Sequence, residues 1–485
     1  MNYRMVVFVL GRIFLVEAAM MLLPMLCSAI YGEWYMLPAF LLPAVILLLL
    51  GLAASLRTPK NTTIYARDGL AIVALVWVLM SAFGALPFVI SGEIPAFADA
   101  FFEMVSGFTT TGSTILNDVE ALSRGALFWR SFSHWVGGMG VLVFAMAVLP
   151  MTDGRAMHLM RAEVPGPTCG KLSSKLSDSA KILYSIYFAM TALEVVLLCA
   201  GGMSLYDSLI HSFGTAGTGG FSNRALSIGA YQNPYFEWVI GIFMLLFGVN
   251  FNLYYFILMR HFREAFGSEE LRAYLGIVLF STVTIAANIL SMAGSVGEAV
   301  RTAFFQVSSI ITTTGYGTTD FNLWPTYSRI LLLLLMFVGG CAGSTAGGLK
   351  VSRVIIFFKA ARQDLNKMLH THAVTAIRFE GKPLDEKTLQ GVHNYFNVYM
   401  LLIMLSTVLV SLDGFDLTTT FTAVITCLNN VGPGMEIVGP MGNFSQFSAP
   451  VKYLLSFDML AGRLELYPML ALFAPRLWRR RRTMR

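Results

Sequence analysis

Charged side chains are scarce in this chain: Asp, Glu, Lys and Arg together make up 13% of its 485 residues. Cysteine is rarer, with five scattered residues (Cys27, Cys169, Cys199, Cys341, Cys427) and neither a Cys-x-x-Cys pair nor a metal-ligand spacing. They read as small apolar residues rather than ligands or redox centres. The histidines are dispersed, and no His-Glu-x-x-His or nucleophile elbow occurs. Gly170-Lys171 lacks the preceding glycine of a P-loop. No catalytic signature survives, so the chain does not read as an enzyme and binds no resident cofactor. Arg12 and Glu17 interrupt a long N-terminal apolar stretch, which is therefore no cleavable signal peptide.

What is abundant is apolar. Hydrophobic residues make up 56% of the chain and the mean hydropathy is +0.66, more than a soluble protein of this size can bury, so the bulk lies in lipid. Strong apolar stretches run at 5–31, 36–56, 69–92, 129–150, 180–202, 235–259, 272–294, 327–349, 391–412 and 450–475. Each is near the roughly 20 residues that cross about 30 Å of hydrocarbon as a helix, which predicts ten spans. Basic residues collect between alternate spans: Arg57, Lys60, Arg67; Arg155, Arg161, Lys171, Lys175, Lys181; Arg260, Arg263, Arg272; Lys350 through Lys387; and Arg476 with Arg479 to Arg482. By the positive-inside rule these loops and both termini face the cytoplasm. The net charge of +6 thus follows topology, with binding of a cytoplasmic partner or lipid headgroups as the alternative, and not nucleic acid.

The intervening loops hold a recurring pattern. Phe108-Thr-Thr-Thr-Gly112-Ser113, Thr215-Ala-Gly-Thr-Gly219-Gly220, Ile311-Thr-Thr-Thr-Gly315-Tyr-Gly317 and Leu428-Asn-Asn-Val-Gly432-Pro-Gly434 stand about a hundred residues apart, as domain-sized duplications do. Each follows a short apolar segment (97–111, 204–217, 298–313, 417–430) too short to span, and precedes a long one. Acidic residues open these segments at Asp99, Asp207, Glu298 and Asp416, suiting helix N-termini. The prediction is an all-α polytopic membrane protein with four pseudo-symmetric repeats around one pore. Each repeat is a long helix, a pore helix and a second long helix. The divisions are two extra N-terminal helices in 1–58, then repeats in 59–165, 166–266, 267–387 and 388–485.

The third loop nearly repeats the Thr-Val-Gly-Tyr-Gly loop of potassium channels, whose backbone carbonyls replace the water around the ion. Glycine tolerates the backbone angles that such carbonyl alignment needs. Taking Gly112, Gly219, Gly315 and Gly432 as equivalent, the expected ligands are Thr110, Thr111, Gly112, Gly217, Thr218, Gly219, Thr313, Thr314, Gly315, Asn430, Val431 and Gly432. A second feature is the glycine-rich interruption Gly340, Cys341, Ala342, Gly343, Ser344, Thr345, Ala346 and Gly347 inside an apolar span. It reads as a gate below the filter, or as close helix packing. A third is Arg463, deep in the last span. It serves either as an electrostatic barrier in the pathway or as a structural ion pair with Glu465, Asp458 or Glu103. Glu17 with Arg12, and Glu194, read as buried pairs or interhelical bonds, with a proton path as the alternative.

These loops, together with Gly-Cys-Ala-Gly-Ser-Thr in the third repeat and Gly-Arg-Leu-Glu in the last span, resemble the Trk/Ktr/HKT superfamily of potassium transporters, and within it the bacterial TrkH subunits. The resemblance runs over essentially the whole chain. It implies potassium uptake across the bacterial inner membrane by a homodimer with a pore in each protomer. It also implies a cytoplasmic TrkA-type regulatory ring that holds the NAD(H), ATP or ADP. Members with serine at the first filter glycine tend to favour sodium, whereas this chain has Gly112; the additional Gly217 is a departure bearing on strictness. Proton- or sodium-coupled symport on the same architecture remains the alternative. An organic-solute carrier built on inverted repeats is disfavoured, since all four units share one orientation.

Overall fold

Six of the ten apolar stretches fold as single helices long and apolar enough to cross a bilayer: Tyr3–Ile30, Met36–Ser55, Ala66–Ser91, Lys181–Ala200, Glu269–Ile289 and Glu386–Asp413. The computed structural model describes residues 1–62, 64–140, 176–370 and 376–478. The second half of the 129–150 stretch, Cys169, the basic residues Arg155, Arg161, Lys171 and Lys175, and Arg479 to Arg482 lie outside the described residues. One small antiparallel hairpin, Arg378–Phe379 with Lys382–Pro383, is the β-structure among the described residues.

The four remaining stretches are the second long helices of the four repeats; the sequence marks an interruption only in the third, and the expectation of continuous spans is corrected in the others. The first, Arg124–Gly138, ends at Met139. The second is two helices, Pro234–Phe247 and Phe251–Leu258, meeting at 92°. The third stops at Val338 and resumes only at Val351–Leu369. The fourth, Ala449–Arg463, breaks at Glu465 and Leu466, both at φ 62°, before Tyr467–Leu472. Each break has a glycine at or beside it (Gly138, Gly248, Gly339, Gly462), where helix propensity is lowest. Backbone freed inside a membrane protein must find partners, and these breaks supply them to one another. The Cys341 N–H donates to the Gly248 carbonyl at 3.0 Å, and Phe251 N–H to Gly343 at 3.0 Å.

The leading helices cross at small residues. A Cβ on Gly11 would lie 2.6 Å from the Ala54 methyl, and one on Gly51 would lie 2.8 Å from the Gly11 carbonyl oxygen, the close approach that glycine permits between membrane helices. Glu17 in this pair is fully buried with neither carboxylate oxygen hydrogen-bonded. The expected pairing with Arg12 does not form. Glu194 is likewise fully buried.

Between the two long helices of each repeat sits a short one: Phe97–Phe108, Leu205–Gly217, Val296–Ile311 and Leu417–Asn429. Their 12 to 16 residues span only about 18–24 Å at 1.5 Å per residue, too little to cross. Side-chain caps start three of them: Ser204 accepts from Asp207 N–H, Ser295 from Glu298 N–H and Asp416 from Thr419 N–H. Their C-terminal halves are buried, so the carbonyl-rich ends point into the protein.

Candidate ion pathway

All four short helices end in the same way. The N–H groups of Thr110, Thr218, Thr313 and Asn430 reach back three residues to Gly107, Thr215, Ile310 and Cys427. The next N–H groups, of Thr111, Gly219, Thr314 and Val431, reach back five residues, to Ser106, Gly214, Ser309 and Thr426, at 2.8–2.9 Å. This is the Schellman ending, which needs a left-handed residue at its corner. Thr110, Thr218, Thr313 and Asn430 hold φ of 55°, 55°, 58° and 55°. Glycine usually takes that place; a β-branched threonine there costs about 1–3 kcal/mol. Sequence reasoning named these four residues as ligands but looked to the glycines for unusual angles and did not foresee theirs. The signal lay in their recurrence at the end of every short segment.

Two residues further on, each loop has a second left-handed residue, and now it is glycine: Gly112, Gly220, Gly315 and Gly432, at φ 84°, 76°, 84° and 95°. The second of these corrects the expected register. Spacing placed the equivalent glycine at Gly219, but φ at Gly219 is not positive, and Gly219 corresponds instead to Thr111, Thr314 and Val431. The two adjacent glycines made the positions indistinguishable by sequence. Gly217 accordingly falls one place back, at the end of the second short helix beside Thr109, Thr312 and Asn429.

In that register the loops form a closed ring in chain order. A Cβ on Gly112 would lie 2.1 Å from the Gly219 carbonyl oxygen, on Gly220 2.0 Å from that of Thr314, on Gly315 2.3 Å from that of Val431, and on Gly432 2.7 Å from that of Thr111. Each glycine is therefore needed both for its angle and for room beside the neighbouring loop's carbonyl. Gly112, Gly220, Gly315 and Gly432 together line one cavity of about 260 Å³ that opens outside the ring.

Buried polar contacts hold the ring from behind. Thr109 Oγ1 and Thr111 Oγ1 are 2.8 Å apart, and so are Thr312 Oγ1 and Thr314 Oγ1. Asn430 Nδ2 donates to Thr111 Oγ1 and to the Met459 carbonyl, both at 2.9 Å. The strands leaving the first and second loops are joined by an ion pair that sequence reasoning did not propose. Arg130 Nε donates to Glu103 Oε1 at 2.5 Å and Arg130 Nη1 to the Ser222 carbonyl at 3.0 Å, while Glu103 Oε2 accepts from Ile115 N–H at 2.9 Å. Both side chains are buried.

The interruption of the third long helix lies against this ring. Gly347 N–H donates to Thr313 Oγ1 at 2.6 Å, Gly348 N–H donates to the Asn429 carbonyl at 3.0 Å, and a Cβ on Gly347 would lie 2.3 Å from that same oxygen. Glu270 clamps both ends of the interruption, its Oε1 accepting from Ala342 N–H at 2.8 Å and Ser352 N–H at 3.0 Å. Inside it, Ser344 Oγ donates to the Cys341 carbonyl and Lys350 Nζ to that of Ala346.

Arg463 completes the arrangement. Its Nη1 donates to the Thr345 carbonyl at 2.7 Å, and its Nη2 to those of Gly137 and Gly138. One guanidinium thus ties the breaks of the first, third and fourth repeats. The three acids expected as ion-pair partners are engaged elsewhere, which corrects that reading: Glu465 with Arg353, Asp458 with Ser406 Oγ, and Glu103 with Arg130.

Residues 37–480 match the family model described as TrkH, cation transport protein. The chain belongs to the TrkH family. It is 35% identical to the Trk system potassium uptake protein TrkH of Escherichia coli strain K12, over 99% of this chain and all of that protein. Identity to TrkG of the same strain is 34%, over 99% of both chains. The crystal structure of the potassium transporter TrkH from Vibrio parahaemolyticus superposes with a TM-score of 0.89 at 31% identity, covering 99% of this chain and all of that one. The four-repeat, all-α membrane architecture is therefore the TrkH fold.

Proposed function

We propose that this chain takes up potassium across the bacterial inner membrane through a single-chain, fourfold pore. The observation that carries the reading is the ring: four loops with the same two left-handed positions, each glycine set against the next loop's carbonyl. A potassium ion leaves its water shell only if oxygens replace it at matching cost, and backbone carbonyls do so without holding it permanently. The ligands in the proposed filter are the carbonyls of Thr110, Thr111 and Gly112; Thr218, Gly219 and Gly220; Thr313, Thr314 and Gly315; and Asn430, Val431 and Gly432. Gly217 is set aside by the register. The C-terminal ends of four short helices add a field favourable to a cation.

The filter entrance faces the periplasm and both termini the cytoplasm, consistent with the basic loops. The segment 340–347 is the gate. It is bonded to the inner side of the third and fourth loops, with the charges of Arg463 and Lys350 set around it. Opening requires these bonds to be exchanged for water or new partners. We assign the control of that exchange to a cytoplasmic TrkA-type partner carrying the nucleotide, acting on a homodimer, as the family resemblance implies; the names of the relatives place them in a Trk system. Coupled symport has one observation in its favour, the fully buried carboxyl of Glu194. Flux in reconstituted vesicles decides between the two. Reversal at the potassium equilibrium potential, unmoved by an imposed pH or sodium gradient, is expected; a shift with either gradient would establish coupling.

A further inference from the structure

The second loop is the one whose position behind the filter lacks a side chain. Thr111, Thr314 and Val431 are all buried there, and each carries a β-branched side chain. Gly219 carries none, and its φ is not positive, so the backbone does not require glycine. The space is occupied instead by the His134 imidazole, which comes from the Arg124–Gly138 helix of the first repeat. A Cβ on Gly219 would lie 2.4 Å from both Cγ and Nδ1 of that ring.

The ring is also bonded at both nitrogens. Nδ1 lies 2.7 Å from the Gly107 carbonyl on the first short helix, and Nε2 lies 3.3 Å from the N–H of Phe221, the residue after Gly220. A carbonyl only accepts and a backbone N–H only donates, so Nδ1 carries the proton and Nε2 accepts. The Phe221 ring is held between the imidazole, at a centroid separation of 4.2 Å, and the Arg130 guanidinium, 3.5 Å from the ring centre.

We propose that His134 is a specificity-determining positioning residue of the filter. Its imidazole takes the place of the side chain missing at Gly219 and fixes the distance of the second quadrant's carbonyls from the axis. The inference rests on the filter reading above. In the other three quadrants that position carries its own buried side chain; in this one the filling group comes from a neighbouring repeat. Without the ring, Gly217, Gly219 and Gly220 leave the most permissive backbone of the four loops with a void behind it. A carbonyl ring that can relax on one side loses its preference for potassium over the smaller, more strongly hydrated sodium.

The test uses the full-length protein in vesicles, measuring rubidium and sodium uptake side by side. Wild type establishes the filter reading: no preference for rubidium over sodium would sink that reading itself. With the preference present, His134→Ala should lower it by about ten-fold, the scale of one buried hydrogen-bonding partner lost. Gly219→Thr alone should be inactive through collision with the ring. The double variant His134→Ala with Gly219→Thr should recover the preference, because the loop then supplies its own wedge in the vacated space, a coupling that separate effects would not produce. An unchanged ion ratio in His134→Ala, even with lower protein abundance, would overturn the proposal. If His134→Ala does not fold, the double variant decides: folding with discrimination supports it, and failure to fold or to discriminate rejects it.

Discussion

Gly347 N–H donates a 2.6 Å hydrogen bond to the side-chain oxygen of Thr313, so the break in the third long helix is bonded directly to a corner residue of the third filter loop. Thr313 is one of the four left-handed residues. The proposed gate and the proposed filter are therefore joined by a hydrogen bond, and displacement of one must be felt by the other.

Thr313→Val keeps the β-branched shape and removes the acceptor. Loss of one such bond, about 1 kcal/mol net, should shift the gate toward open by roughly five-fold. Rubidium flux into vesicles without any added partner reads this directly. A well-folded variant with unchanged basal flux would mean that the contact is incidental to gating.

Glu270 offers a stronger lever, because one oxygen holds the entry and exit of the interruption together. Glu270→Ala leaves two buried N–H groups without an acceptor, at about 1–3 kcal/mol each. It should raise basal flux and lower the melting temperature in detergent. Glu270→Gln keeps a carbonyl oxygen and should fall between the two. Equal behaviour of the alanine and glutamine variants would argue against the clamp.

Gly220→Ser tests the register of the second loop. A Cβ there meets the Thr314 carbonyl oxygen at 2.0 Å, as one on Gly315 meets that of Val431 at 2.3 Å. Gly220→Ser and Gly315→Ser should therefore both reduce potassium-over-sodium discrimination in competitive uptake. A Gly220→Ser protein that discriminates like wild type would return the equivalent position to Gly219.

Arg463→Gln separates charge from tethering. Glutamine retains donors but has no planar fork to reach the three carbonyls in the breaks of the first and third repeats. Basal flux should rise, and rise further in Arg463→Ala. If glutamine raises flux as much as alanine, the positive charge alone forms the barrier.

Breaking the Glu103–Arg130 pair is a test of stability. Removing one member of a buried ion pair typically costs about 3–5 kcal/mol because the other charge stays buried. Glu103→Ala should lower the melting temperature markedly, and Glu103→Gln less, since an acceptor remains for Ile115 N–H. Similar melting temperatures for Glu103→Ala and wild type would show that the region relaxes to admit water.

The sequence by itself determined the number of repeats, the short helices and the loops that follow them. These are local matters: apolar length fixes what can cross a bilayer, and threonine and glycine at a helix end fix how it stops. It also located the interruption at 340–347 and singled out Arg463. Only the tertiary structure decided the register of the second loop, because Gly219 and Gly220 are chemically identical and differ only in which neighbour each faces. Tertiary structure likewise chose carbonyls for Arg463, chose Arg130 for Glu103, and placed His134 behind a loop from another repeat. Partners more than twenty residues apart, and often in different repeats, are set by how helices pack, and composition and spacing along one chain carry no record of that.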